Sequence, residues 1–367
     1  MRELFLLDPD VVFLNHGSYG ACPRPVFEEY QRLQRELERE PVEFLSLKRG
    51  FPELIGAARK RLAAYVGVSA SDVILVPNAT TAVNAVARSL DLQPGDEIVA
   101  TTHEYGGNDL LWRYTCERRD ARYVEVDTTP AAAVDDLLGA FTPRTRALFV
   151  SHISSPTALR FPVEELCARA RDAGVLSIVD GAHAPGQIAL ELAGLGADFY
   201  AGNCHKWLCA PKGAGFLHVR REMQPLLEPL AVSWDWPADE WAVRHRWTGT
   251  HDPSPHLAVP AAIDFQSEHD WEAVRSRCHE LAARAARELT DFGLEPLAAS
   301  DHEFVQMVAV RLPPCDAEAL GLRLYRERRI EVLAQSWRGA PTLRVSFQAY
   351  NDENDLDALL GALRDLL

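Results

Sequence analysis

The stretch "DFYAGNCHKWLCAPKGAG" (198–215) sets Lys206 between His205 and Trp207, at the end of an apolar run and ahead of a glycine-rich segment. A buried ammonium is costly unless it is paired or neutralised, so a lysine at the mouth of a core strand is suited to act as an uncharged amine. Other apolar runs end in comparable groups. "VLSIV" is followed by Asp180, Gly181, Ala182 and His183, and "ALFVS" by His152. After "EIVAT" (97–101) come His103, Glu104 and Tyr105, and after Asp198–Gly202 come Asn203 and Cys204. After "DVILVP" come Asn78, Ala79, Thr80 and Thr81, at the start of a helical pattern. Free backbone N–H groups and a hydroxyl at a helix N-terminus suit a phosphate.

Taken singly, each of these groups fits a cap or a structural role. Together they place an anion cradle, an aromatic face, a carboxylate and a lysine at one edge of one sheet, and ligands of open parallel sheets bind beyond the carboxyl ends of the strands. That set meets the needs of pyridoxal 5'-phosphate. The lysine forms the Schiff base, the acid keeps the pyridine nitrogen protonated, a flat side chain covers the ring and the cradle takes the phosphate. A metal centre built from His103, His152, His183 and His205 is the competing reading. No HExxH or CxxC spacing supports it, so no metal is expected.

Positioning such residues requires a repeating frame. Strand-like runs at 72–76, 97–101, 122–127, 147–152, 175–180, 198–202 and 213–219 alternate with helical stretches such as 80–90 and 163–174. This rhythm predicts an α/β fold with a mostly parallel sheet covered on both faces. An amphipathic helix is expected over 23–40. After about residue 265 the pattern changes to a long helix (270–292), strands within 303–313, 330–335 and 342–348, and a closing helix, as in a smaller α+β domain. The expected organisation is an N-terminal segment (1–20) packing near the active site, a large cofactor-binding domain (21–265) and a small C-terminal domain (266–367).

The 367 residues exceed one ordinary core, and 47% are hydrophobic. A net charge of −15 without a basic block argues against nucleic-acid and anionic-membrane partners. Seven scattered cysteines and an acidic N-terminus with no apolar leader point to a reducing cytoplasm.

"VDGAHAPG" (179–186) and "GNCHKW" (202–207), with Asp180 lying 26 residues before Lys206, resemble the class V aminotransferase group of fold-type I pyridoxal-phosphate enzymes. "FLNHGSYGACP" (13–23), "HEYGG" (103–107) and "WTGTHDPSP" (247–255) look most like its isopenicillin N epimerase-like branch. The resemblance implies a sheet of the seven-stranded type and the following roles. Lys206 carries the cofactor, Asp180 partners the pyridine nitrogen and His183 lies by the phenolic oxygen. Asn78, Ala79, Thr80, Asn203 and His205 hold the phosphate. Tyr105 stacks on the ring, and His152 lies near the ring and the substrate. Arg344 grips the substrate carboxylate, with Asn15 and His16 beside it. Thr250 reaches the phosphate of a neighbouring subunit, which implies a homodimer with shared active sites. The implied reaction occurs at Cα of an amino acid or an amino-acid-derived substrate, through an external aldimine and a quinonoid. Epimerisation is the first expectation, with C–S β-elimination or transamination as alternatives. A non-catalytic cofactor binder is more distant, because a binder needs no carboxylate clamp. Tyr105, His152 and His16 are candidate proton donors opposite Lys206. Arg49, Arg160, Arg244, Arg246 and Arg338 are candidate contacts for an acidic substrate tail.

The departures from the desulfurase members concern chemistry. Those enzymes usually carry histidine where Tyr105 stands, often asparagine where His152 stands, and a nucleophilic cysteine shortly before the arginine. Here that stretch is "AQSWRGAPTLR" (334–344), without cysteine, and Cys315 is far from it in sequence. Persulfide storage on that loop is therefore not expected.

Overall fold

The computed structural model describes residues 1–367. Seven strands form the central sheet: β1 (Val73–Val76), β2 (Glu97–Thr101), β3 (Arg122–Val126), β4 (Thr145–Ser151), β5 (Leu176–Gly181), β6 (Phe199–Asn203) and β7 (Gly215–Val219). Their order is β1-β7-β6-β5-β4-β2-β3. Every pairing from β6 to β3 is parallel, whereas β7 runs antiparallel to both β6 and β1. The seven expected runs are the seven strands of this sheet.

Both faces are covered, as buried parallel strands require. On β2, Ile98 and Ala100 pack into a layer with the helices α1 (Ala79–Ser89) and α2 (Gly106–Arg118). Val99, one residue out of phase, joins the opposite and larger core with α3 (Val163–Asp172). The register Ser151↔Asp180↔Ala201 brings the ends of β4, β5 and β6 level, so the groups beyond them share one edge.

Towards the C-terminus, the helix α4 (Trp271–Asp291) leads into a four-stranded antiparallel sheet containing β8 (Glu295–Pro296), β9 (Met307–Arg311), β10 (Leu333–Trp337) and β11 (Ala340–Ser346). The segment expected as one strand over 330–335 is divided. Ile330–Glu331 pairs in parallel with Val12–Phe13, and β10 begins only at Leu333. The N-terminal segment is thus tied to the C-terminal region. The Ser346 N–H also donates to the Leu14 carbonyl at 2.8 Å, and the Asn351 side chain donates to the Phe13 carbonyl at 3.0 Å. The helix expected over 23–40 runs from Arg24 to Arg39, with Val26, Leu33 and Leu37 buried on one face. No helix is long and apolar enough to cross a membrane.

Candidate active site

A cleft of about 350 Å³ opens at the carboxyl edge of the sheet. Its lining includes Lys206, Asp180, His183, Asn203, His205, Tyr105 and Arg344, together with Asn78, Ala79 and Thr80. Two motifs far apart in sequence meet here because a glycine allows it. Gly186 has φ of +90°, and a Cβ on it would lie 2.2 Å from the Trp207 carbonyl oxygen. Only glycine lets the turn after His183 pass against the backbone that carries Lys206.

Lys206 is held at both ends. His16 Nε2 lies 3.0 Å from its carbonyl oxygen, and its Nζ lies 3.0 Å from His183 Nε2. Desolvation, reinforced by the nearby Arg344 charge and opposed by Asp180, brings the Lys206 amine down to about 7. Asp180 accepts from Asn108 Nδ2 at 2.7 Å and from the Ala182 N–H at 2.9 Å. Burial raises its carboxyl above the ordinary range, against the pull of those donors and of Lys206.

At the other end of the cleft, the first turn of α1 is partly spoken for. Asn78 Oδ1 accepts from the Thr81 N–H at 2.9 Å as an N-cap. Asn203 Oδ1 accepts from the Ala79 N–H at 2.8 Å. The expectation that Ala79 offers a free N–H to an anion is therefore corrected, because that donor is used inside the protein. Thr80 and the Asn203 amide nitrogen remain, beside a neutral His205 whose basicity burial brings down to about 4.

Arg344, on β11, is fully buried and faces no carboxylate. Its guanidinium donates to the Ser155 carbonyl oxygen at 2.5 Å, to Ser18 Oγ at 3.3 Å and to Asn15 Oδ1 at 3.5 Å, while Nε has no partner. Desolvation lowers it to about 10. A buried cation without a counter-ion is unstable on its own account, and its presence in a cleft calls for an anionic ligand. Asn15 lies in this group, held by Ser18 and Glu331.

Two expectations fail by geometry. His16 does not face the carboxylate position. Its Nδ1 lies 2.9 Å from Tyr350 Oη and its Nε2 meets the Lys206 carbonyl, so both nitrogens are used in the interior. His152 follows β4 one residue out of phase with Ser151 and Ile153, which line the cleft. Strand alternation sends it to the opposite face, where Nδ1 lies 2.9 Å from Tyr200 Oη and the ring borders a separate cavity with Arg160 and Glu303. None of the five arginines proposed for an acidic tail lines the cleft. Arg246 is paired bidentately with Asp235, Arg49 with Glu43, and Arg338 lies 3.5 Å from Asp127. Thr250 is exposed and borders no part of its own cleft.

Tyr105 stands at the rim, 45% exposed. Sequence reasoning gave no role to Asn108, Ser155 or Gln335. Asn108 was findable, since it lies three residues beyond Tyr105, on the first turn of α2. The stretch 334–344 is a tight hairpin turning at Arg338 and Gly339, both with positive φ, and Gln335 rather than a cysteine enters the cleft from it.

The family model described as aminotransferase class-V matches residues 19–359. The chain belongs to the class V aminotransferase family. It is therefore a pyridoxal-phosphate-dependent enzyme with the fold-type I architecture. It is 40% identical to the isopenicillin N epimerase of Streptomyces clavuligerus, over 99% of this chain and 96% of that one. It is 29% identical to a putative L-cysteine desulfhydrase of Oryza sativa subsp. japonica, covering 97% and 83% of the two chains. Among solved structures, the complex of the cystine C–S lyase C-DES with cysteine persulfide superposes with a TM-score of 0.88, at 23% identity over 98% of each chain. That last likeness concerns the fold.

The residues of the cleft fit the cofactor. An amine, a carboxylate and a helix N-terminus with a free Thr80 border one cavity, and Arg344, with no carboxylate partner and its Nε unpaired, lines it too.

Proposed function

We propose that this enzyme acts at Cα of an amino acid, or of a substrate bearing an amino-acid head, and inverts its configuration as an isopenicillin N epimerase does. The observation that carries the reading is Arg344, a buried guanidinium with no counter-ion, in the same cleft as Lys206 and Asp180. A substrate carboxylate supplies the missing charge through a bidentate pair. The similarity to isopenicillin N epimerases along the whole chain supports the choice among reactions.

Pyridoxal 5'-phosphate, when bound, withdraws electron density from the substrate's Cα and so acidifies its proton. Lys206 holds the cofactor and, once released, moves the Cα proton through Nζ. Asp180 holds a proton at the pyridine nitrogen, oriented by Asn108. His183 turns Nε2 towards the same region. Thr80, Asn203 and His205 border the phosphate, with Asn78 capping the helix behind them and Thr250 arriving from a second subunit of a homodimer. Tyr105 covers the ring and is the one remaining group of the three proposed to exchange a proton opposite Lys206, since His16 and His152 lie elsewhere.

That last point favours a second reading, elimination of a β-substituent, which needs a single base. One experiment separates the two. The purified enzyme is incubated with amino acids in deuterated water, and products are analysed by chiral chromatography and mass spectrometry. The expected result is inverted product carrying deuterium at Cα, with no exchange in Lys206→Ala. Release of sulfide and a keto acid from cysteine, without inversion of any substrate, overturns the epimerase reading in favour of elimination.

A further inference from the structure

The side chain behind His183 determines what His183 can offer. Trp207 is fully buried, and its indole Nε1–H donates to His183 Nδ1 at 3.1 Å. An indole nitrogen is only ever a donor. Nδ1 must therefore be the bare, accepting nitrogen of the ring. The other nitrogen, Nε2, points at Lys206 Nζ at 3.0 Å. We propose that Trp207 is a positioning residue that locks His183 in the tautomer carrying its proton on Nε2, and so presents Lys206 with a donor that only an uncharged amine can accept.

The opposite tautomer would set two N–H groups against each other between Trp207 and His183. A doubly protonated ring is disfavoured by its surroundings, because burial, with the Lys206 and Arg344 charges adding to it, holds His183 well below its ordinary value. The groups bearing on Lys206 are Arg344, which opposes its charge, and Asp180, which favours it. Through the ring of His183, the Trp207 N–H works with Arg344. The indole is itself fixed: its ring lies 4.9 Å from that of His16, and its backbone is held where Gly186 passes. The tautomer follows from this geometry alone; its consequence for reactivity rests on the reading of Lys206 as the cofactor-bearing amine.

The test uses the full-length protein labelled with 15N in histidine, with cofactor and after its removal. Two-bond proton–nitrogen spectra report which ring nitrogen carries hydrogen, and His183→Asn assigns the signals. The expected result is Nε2–H at His183 in both states. In Trp207→Phe, which keeps an aromatic ring and loses the N–H, the ring should populate the Nδ1–H form, leaving Nε2 to accept from a lysine ammonium. Reductive methylation of Lys206 in the cofactor-free chain, read by mass spectrometry at pH 7, should then slow about fivefold, the loss of neutral amine that follows when a value of about 7 rises by about one unit. A wild-type spectrum with hydrogen on Nδ1 overturns the proposal whether or not the variant folds. So does a folded Trp207→Phe with the parental tautomer and methylation profile. Failure of Lys206 to bind the cofactor would overturn the functional reading while leaving the tautomer measurement intact.

Discussion

Arg344 and Lys206 share one cleft, where the guanidinium adds to desolvation in holding down the charge of the lysine. The fold tolerates this because the two have different tasks: the lysine is held neutral, and the guanidinium waits for a carboxylate. At this scale Arg344→Lys is the informative change. A point charge cannot reproduce the fork, and lysine in that setting is free to lose its proton. Substrate turnover should fall by about 2–5 kcal/mol in transition-state energy, tens- to thousands-fold in kcat/KM. Cofactor binding, followed by its visible absorption, should remain as in the parent. Parental turnover would move the carboxylate site away from β11. Lys206 and Asp180 were legible as chemistry because charged groups at the ends of apolar strands have few cheap explanations, whereas Arg344, inside β11, stood out only through the family resemblance. His16 and His152 were misplaced because their types invite catalysis, while their partners, Tyr350 and Tyr200, belong to segments far away in sequence.

Elements decide which of two neighbouring residues enters the cleft. Ser151 and Ile153 face it and His152 does not, a consequence of the two-residue period that strand patterning makes readable once the inward phase is known. The seven strands were readable from their apolar runs. The antiparallel β7 was not, because direction depends on the loop that follows Lys206 rather than on strand composition. The turn after β2 holds a second buried acid, Glu104, which accepts from Thr101 Oγ1 at 2.5 Å and from Ser151 Oγ at 2.6 Å. Desolvation, with Asp180 adding to it, raises this carboxyl from 4.5 to about 8. Because the folded value is the higher one, the native state retains a proton that the unfolded chain releases above its ordinary value. Stability is therefore full below about 4.5 and is lost as pH rises towards about 8, at up to about 1.4 kcal/mol per pH unit. Glu104→Gln carries no such titration. In urea unfolding, the variant should gain on the parent between pH 5 and pH 8 and hold that gain above it. A parallel pH dependence for the two proteins would show that Glu104 is already ionised in the fold.

At the scale of the whole molecule, Thr250 is exposed and lines no part of its own cleft, although the family resemblance gives it a phosphate contact in a shared site. The surrounding stretch also exposes apolar side chains, with Trp234 at 82% and Val232 at 69%, more than an isolated surface usually leaves in one place. A homodimer in which Thr250 serves the partner's cofactor accounts for both, and a mixed dimer tests it. Thr250→Ala should weaken cofactor binding roughly ten- to hundredfold, the loss of one hydrogen bond to a charged group. Combine that chain with one bearing Lys206→Ala. If Thr250 acts across the interface, the mixed dimer contains one site with both defects and one with neither, because the intact Lys206 receives the intact Thr250 of the other chain. Tagged mixed dimers should then show parental cofactor affinity at half the parental capacity. If Thr250 acts within its own chain, every intact Lys206 remains beside an altered Thr250, and the mixed dimer keeps the weakened affinity of Thr250→Ala. Sedimentation of an active monomer would remove the shared site altogether and leave the exposed tryptophan without this explanation.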